Sequence, residues 1–229
     1  MKRFWNWNHD GDQRQLSISG VIAPDSWVND DISPQVFQDE LNEDQGPIDL
    51  WLNSPGGDCT AASRIYTMLM NYPNDVNVKI DGLAASAASV IAMAGTTVSM
   101  APTAMLMIHN PLTIVGGQKK DLDQAVQMLT ETKESIINAY ELKTNLPRAK
   151  ISTMMDNETW MNVNKAIELG FADEMLGQNK NVTVYSSLIN SRTLFTNKLN
   201  QQLKQLSLKS RCKSGFQHHI KFGRNPKYD

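Results

Sequence analysis

The sequence predicts an α/β domain built around a largely parallel β-sheet, because short apolar strands alternate with amphipathic helices. The first cycle is clear: residues 16–23 ("LSISGVIA") and 48–54 ("IDLWLNS") have the composition of strands, and residues 34–42 between them have helical spacing. The alternation ends near residue 177, and no internal repeat is visible. We therefore expect one domain over residues 1–177 and a separate tail over residues 178–229.

The later elements follow from the same periodicities. A long helix is predicted where apolar side chains recur along one side of a segment that begins with "KKDLDQAV", and a short helix ends at Gly170, a residue typical of a helix C-terminus. The elements predicted after the first cycle are helix 59–72, strand 76–80, a small-residue helix within 81–95, strands 96–100 and 104–110, helix 119–144 and helix 164–170.

The composition of the 229 residues is that of an ordinary globular chain. No apolar run approaches the roughly 20 residues that a membrane-spanning helix needs, and the first residues contain no apolar signal segment. A cytoplasmic protein without a membrane partner is therefore expected. Cys59 and Cys212 are far apart and match neither a disulfide framework nor a zinc-binding spacing.

The predicted tail differs in charge from the rest of the chain. Residues 178–229 contain ten Lys+Arg and one acid, a net charge of +9, so the remainder carries −11 of the total of −2. Within the tail, a helical stripe from Leu188 to Leu206 predicts one helix, and the last residues have no periodicity and are predicted to be disordered. Positive charge alone is a weak signal for nucleic-acid binding, which is therefore not expected of the tail.

One histidine and one glycine-containing turn in the predicted domain are candidates for chemistry. His109 is the only one of the four histidines that lies within the α/β alternation, and it follows a predicted strand at the edge where such folds hold their sites. The turn "NSPGGD" (53–58) is either a tight connection or a pocket whose exposed backbone N–H groups bind an anion. It does not match a phosphate-binding loop, so nucleotide binding is not predicted.

The stretch "DGLAASAASVIAMAGTTVSM" (81–100) is rich in small residues and contains Ser86 and Ser89. Ser86 falls in the first turn of the predicted helix and Ser89 one turn later. A serine at the positive end of a helix, flanked by small residues, suits a nucleophile, whereas close helix packing explains the same composition. No GxSxG motif is present, so an α/β-hydrolase is not expected.

The order of these motifs is more specific than any one of them. A strand followed by "NSPGGD", then "DGLAASAAS", then "MIHNP" resembles the Clp protease proteolytic subunit family, the ClpP-like serine peptidases of the ClpP/crotonase fold, over about residues 16–176. The resemblance implies repeated β-β-α units with a mostly parallel sheet. It also implies that Ser86 is the nucleophile, that His109 is the base, and that the backbone N–H groups of Gly57 and Ala87 form the oxyanion hole. No metal or cofactor is implied.

The third catalytic residue is where the sequence departs from the family. The family has Asp two residues before an aromatic side chain, and the matching text "ETWMNVNKAIELG" places Glu158 two residues before Trp160. A glutamate can orient His109 as an aspartate does. Asp156 is a rival for this role, and both acids could instead be solvated surface residues.

The resemblance implies a serine endopeptidase that acts through an acyl-enzyme on protein substrates and forms rings, typically heptamers or double rings docked through residues 120–145. The N-terminal segment, "ETWM" and the tail are most similar to the prohead proteases of tailed phages and prophages, which cut capsid and scaffold proteins; the tail helix would then be a scaffold-like extension or a solvated linker. The alternatives are a bacterial housekeeping subunit fed by an ATP-dependent unfoldase, an inactive assembly protein of the same fold, and an acyl-CoA crotonase.

Overall fold

The computed structural model describes residues 3–10, 13–22 and 34–177, which contain eight strands and six helices. The strands are β1 (Trp5–Asp10), β2 (Gln13–Ser19), β3 (Ile48–Ser54), β4 (Val76–Ala85), β5 (Thr97–Met100), β6 (Met105–Ile108), β7 (Thr159–Asn162) and β8 (Glu174–Met175). The helices are α1 (Pro34–Glu43), α2 (Cys59–Met70), α3 (Ala87–Ala92), α4 (Lys119–Thr144), α5 (Arg148–Asp156) and α6 (Val163–Glu168).

The strands form one mixed sheet in the order β1-β2-β3-β4-β5-β8. All neighbours from β2 to β8 in this order are parallel, and β1 is antiparallel to β2. Strand β6 also pairs in parallel with the last residues of β4 and carries the antiparallel strand β7. The predicted α/β class with a largely parallel sheet is therefore confirmed, and the ends of β4 and β6 are brought side by side.

One face of the sheet forms the core, and the opposite face is more polar. Alternate residues of the central strands are completely buried toward the helices, as the two-residue period of a strand requires: Leu16, Ile18, Leu50, Leu52, Val78 and Ile80. On the opposite face, Lys79 Nζ lies 2.6 Å from Asp49 Oδ2. Helix α3 is buried along its whole length, which explains its composition of small and β-branched residues.

Several elements agree closely with the sequence prediction. Strand β3 and helix α4 have the predicted bounds, because the first lies between turn-forming residues and the second has a long amphipathic pattern. The sequence did not predict β1, β7, β8 or α5. Strand β7 and helix α5 lie between stronger patterns, and β8 is only two residues long.

The boundary between β4 and α3 differs from the prediction. The predicted strand ends at residue 80 and the predicted helix has Ser86 in its first turn, whereas β4 continues to Ala85 and the helix begins only at Ala87. The reason is tertiary: Leu83, Ala84 and Ala85 pair with β6, so a small-residue sequence with no strong local preference becomes strand. As a result Ser86 lies at the junction between strand and helix.

The predicted tail helix and disordered end, together with Cys212, lie outside the described residues. Among the residues that the structure describes, none of the helices is long and apolar enough to cross a membrane.

Candidate active site

Ser86 occupies a sharp turn between β4 and α3. It is the N-cap residue of α3, with φ 56° and ψ −127°, a conformation that is rare for a residue with a side chain. Backbone strain of this kind costs about 1–3 kcal/mol and persists only where the surrounding structure enforces it. The strand-turn-helix geometry is that of a nucleophile elbow, although the sequence has no GxSxG motif.

The Ser86 hydroxyl contacts the ring of His109. Ser86 Oγ lies 2.7 Å from His109 Nε2, so the hydroxyl donates to Nε2 when the ring proton is on Nδ1. The parallel pairing of Ala85 with Met107 brings the two residues together, and the Ser86 N–H donates to the Met107 carbonyl at 3.0 Å. Both side chains are partly exposed, so a substrate can reach the pair.

The "PGG" turn after β3 packs directly against the Ser86 turn. A Cβ added to Gly56 would lie 2.7 Å from Ser86 Cβ and 2.9 Å from the Ala87 nitrogen, so only glycine fits there without displacing the nucleophile. Gly56 also has a φ of 96°, which glycine adopts without strain.

The two glycines of this turn differ in what their N–H groups do. The Gly56 N–H donates to Ser54 Oγ at 3.1 Å, and Ser54 is itself held by donating to the Gly20 carbonyl at 2.6 Å. The Ile22 N–H donates to the Gly56 carbonyl, and the Ile22 carbonyl accepts from the Asp58 N–H. In the resulting parallel bridge between Ile22 and Gly57, the Gly57 N–H points away from Ile22. Among the hydrogen bonds of the described residues, none has the Gly57 N–H as its donor.

The Ala87 N–H lies on the other side of the nucleophile. As the first residue of α3, Ala87 has no intrahelical acceptor for its N–H. The close contact between Gly56 and the Ala87 nitrogen brings the turn after β3 and the start of α3 together. The site therefore combines a hydroxyl, an imidazole and two uncommitted backbone donors, which is the set that acyl transfer requires.

The two candidate acids lie near His109 but neither is hydrogen-bonded to it. Glu158 is exposed, has a φ of 45°, and its Oε1 accepts from Trp160 Nε1 at 3.0 Å. Asp156 Oδ1 accepts from Asn110 Nδ2 at 2.8 Å and from Lys133 Nζ at 2.6 Å. These hydrogen bonds, the one from Lys133 first, lower the pKa of Asp156 below its ordinary value. Asp156 is thus held as a carboxylate by the loop after β6 and by α4.

Ser89, the second serine of the small-residue stretch, is completely buried. Its hydroxyl lies 2.6 Å from the Ser86 carbonyl oxygen and 2.8 Å from the Tyr140 hydroxyl, so it faces the interior and not the substrate side. Sequence reasoning assigned no role to Ser54 or Tyr140. The serine within "NSPGG" was a weak signal for the first, and nothing in the sequence pointed to the second.

Comparison of the sequence with known proteins gives the family of this chain. Residues 11–179 match the sequence pattern of the family described as Clp protease. The chain belongs to the Clp protease family. Members of that family are serine endopeptidases, so the assignment of the chain to this class of hydrolases is confirmed.

Three proteins similar to this chain are named as proteolytic subunits of an ATP-dependent Clp protease. The chain is 32% identical over 176 residues to "ATP-dependent Clp protease proteolytic subunit 2" of Thermobifida fusca, an alignment that covers 74% of this chain and 87% of the relative. It is 30% identical over 171 residues to the ATP-dependent Clp protease proteolytic subunit of Bdellovibrio bacteriovorus, covering 72% and 80%. It is 32% identical over 158 residues to the subunit of that name from Porphyromonas gingivalis, covering 66% and 71%.

Proposed function

We propose that this chain hydrolyses peptide bonds with Ser86 as nucleophile and His109 as general base. The observation that carries this proposal is the 2.7 Å contact between Ser86 Oγ and His109 Nε2 at a strained strand-to-helix turn. Strained backbone at a residue with a reactive side chain is concentrated at functional sites, because selection retains it only where the geometry is needed. Membership of the Clp protease family supports the same roles.

The proposed reaction has two halves. In the first, Ser86 Oγ attacks the peptide carbonyl carbon while its proton passes to His109 Nε2, and the tetrahedral oxyanion accepts hydrogen bonds from the N–H groups of Gly57 and Ala87. His109 then gives the proton to the leaving amine, and the C–N bond breaks. In the second half, a water molecule gives a proton to His109 Nε2 and attacks the acyl carbon. The bond from that carbon to Ser86 Oγ then breaks, His109 returns the proton to Ser86 Oγ, and the carboxylic acid leaves. Apart from the substrate and the water, residues of this chain supply the groups that take part in these steps.

Glu158 is the better candidate for the acid that orients His109. Strands β6 and β7 pair Ile108 with Thr159, and continuing this antiparallel register by one residue places Glu158 opposite His109. Asp156 already neutralises Lys133 and holds Asn110. We propose that the Glu158 carboxylate exchanges its Trp160 partner for the Nδ1–H of His109 during catalysis.

The substitution Glu158→Gln tests this assignment. We expect a fall in kcat of roughly 10²- to 10⁴-fold, because a neutral amide no longer stabilises the imidazolium that forms on His109. Hydrolysis of a fluorogenic peptide by the purified, assembled protein measures the effect. Asp156→Asn is the matched control. It should lower kcat by no more than about fivefold, which corresponds to the net free energy of a single hydrogen bond. The reverse order of effects would assign the role to Asp156.

Two modes of substrate supply are compatible with this site. The relatives are named as proteolytic subunits of an ATP-dependent protease, which favours a subunit that receives unfolded protein from an ATPase partner. Processing of phage capsid and scaffold proteins is the second candidate, and the N-terminal segment and the tail support it. Degradation of a stably folded reporter only with a Clp ATPase and ATP would support the first mode. Cleavage of assembled capsid protein by the chain alone would support the second.

Assembly of the chain with copies of itself belongs to the same proposal. Proteins of this family form oligomeric rings, and the exposed apolar side chains of α4 lie on the segment expected to join two rings. They are Leu122, Val126, Met128 and Leu142. We propose a cytoplasmic ring of at least seven copies. A strict monomer in light scattering at micromolar concentration would contradict it.

A further inference from the structure

A buried chain of hydroxyl groups connects α4 to the backbone of the proposed nucleophile. We propose that Tyr140 and Ser89 are positioning residues that fix the Ser86–Ala87 peptide group and thereby aim the Ala87 N–H at the oxyanion. This inference rests on the proposed function, in which Ser86 is the nucleophile. It adds two residues that neither the sequence motifs nor the Ser86–His109 contact assigns.

The direction of both hydrogen bonds follows from the atoms involved. The Ser86 carbonyl oxygen can only accept, so the hydrogen bond of 2.6 Å to Ser89 Oγ must use the Ser89 proton. With its own proton committed, Ser89 Oγ accepts from the Tyr140 hydroxyl at 2.8 Å. The order of donation is therefore Tyr140 to Ser89 to the Ser86 carbonyl. The Tyr140 and Ser89 hydroxyl groups therefore both have hydrogen-bond partners within the protein.

The position of Tyr140 is fixed by its surroundings. Its ring is 1% exposed and packs edge-to-face on Phe171, with centroids 5.6 Å apart and planes at 61°. Burial raises the pKa of the Tyr140 hydroxyl well above its ordinary value, so the group remains a donor throughout the neutral pH range. A rigid donor on a 26-residue helix is thus directed at the turn that carries the nucleophile.

The Ser86 carbonyl matters because it shares a planar peptide group with the Ala87 N–H. In a trans peptide these two groups point in opposite directions, so an anchor on the oxygen fixes the direction of the N–H. The Ser86 oxygen accepts from both Ser89 Oγ and the Ser89 N–H, the latter at 3.0 Å. Hydrogen bonds accepted by a carbonyl also polarise its amide, which makes the Ala87 N–H a stronger donor. Tyr140 and Ser89 therefore act on the oxyanion through the backbone and touch no substrate.

A double-mutant cycle separates positioning from packing. Ser89→Ala is expected to lower kcat for a fluorogenic peptide by about fivefold, since one of two hydrogen bonds to the Ser86 oxygen is lost, and to change KM by less than about twofold. Tyr140→Phe keeps the ring and the hydrogen bond from the Ser89 hydroxyl to the Ser86 carbonyl, so kcat should fall by only about twofold. It also keeps the test informative if Ser89→Ala fails to fold.

Stability is expected to follow a different order from activity. Ser89→Ala leaves the Tyr140 hydroxyl buried without a partner, so it should be the least stable variant in denaturant unfolding. Adding Tyr140→Phe removes the orphaned hydroxyl, and the double variant should regain much of the lost stability while its kcat stays low. Ser99→Ala and Tyr72→Phe remove hydroxyls of the same kinds far from Ser86 and serve as controls with unchanged kcat.

The outcomes distinguish this inference from the proposed function. Recovery of wild-type kcat in the double variant, or wild-type kcat in both single variants, would overturn the positioning role while Ser86 remains the nucleophile. Failure of a serine-reactive fluorophosphonate to label Ser86 in the assembled wild-type protein would overturn the proposed function and the positioning role together. A low kcat with recovered stability and an unchanged KM supports the inference.

Discussion

Replacing Ser86 with alanine is expected to lower peptide hydrolysis by at least about 10⁴-fold, because the residual activity of serine peptidases without their nucleophile comes only from binding and the oxyanion hole. The fold should tolerate the change. Alanine keeps the Cβ and the backbone of Ser86, and the lost hydrogen bond to His109 is worth about 1 kcal/mol. Initial rates with a fluorogenic peptide and denaturant unfolding measure the two effects.

The matched control for this variant is Ser89→Ala, which removes the other serine of the small-residue stretch. It should retain acylation at a rate within about tenfold of wild type, because Ser89 is completely buried and cannot reach a substrate. Equal loss of hydrolysis in the two variants, or substantial hydrolysis by the purified Ser86→Ala protein, would show that Ser86 is not the nucleophile.

Gly57→Ala is expected to have the second largest effect. An added Cβ would lie 1.9 Å from the Ile22 carbonyl oxygen, so the backbone must move and the bridge between Ile22 and Gly57 must break. This movement displaces the N–H that we assign to the oxyanion hole, and loss of one such donor costs about 10²- to 10³-fold in kcat. We therefore expect kcat to fall by at least that factor, with a lower midpoint of thermal unfolding.

Gly46→Ala is the control for the backbone conformation. Gly46 has a φ of 111°, but an added Cβ would meet nothing within 4 Å. The Gly46→Ala variant therefore has the conformational cost of alanine at positive φ without the steric clash, and its kcat should equal that of the wild type. Similar losses of kcat in the two variants would mean that stability alone, and not the oxyanion donor, explains the effect at Gly57.

The sequence was most informative about the fold where local patterns are strong. Strand β3 and helix α4 could be predicted to the residue from their apolar periodicity and their flanking turns. The end of β4 could not, because residues 81–85 have no strong local preference and residues 83–85 take their conformation from pairing with β6. Strand β7 likewise depends on an antiparallel partner more than 50 residues earlier in the chain, a separation that local periodicity does not report.

The candidate site shows a similar division. Ser86 and His109 could be identified from the order of three motifs, and the structure places their side chains in hydrogen-bonding contact. The unusual backbone of Ser86 could not be read from its neighbours, since it depends on contacts with the turn after β3 and with β6. The contact of Ser89 with Tyr140 spans 51 positions and involves two residue types that are common in any core.

The central claim is that Ser86, and not another hydroxyl, forms the covalent intermediate. The most direct measurement is peptide mapping by mass spectrometry after reaction of the assembled protein with a fluorophosphonate, which forms a stable bond to an activated serine oxygen and releases fluoride. We predict one adduct, on the peptide that contains Ser86, and no adduct in the Ser86→Ala protein. An adduct on a different residue, or none in protein that hydrolyses peptides, would contradict the account.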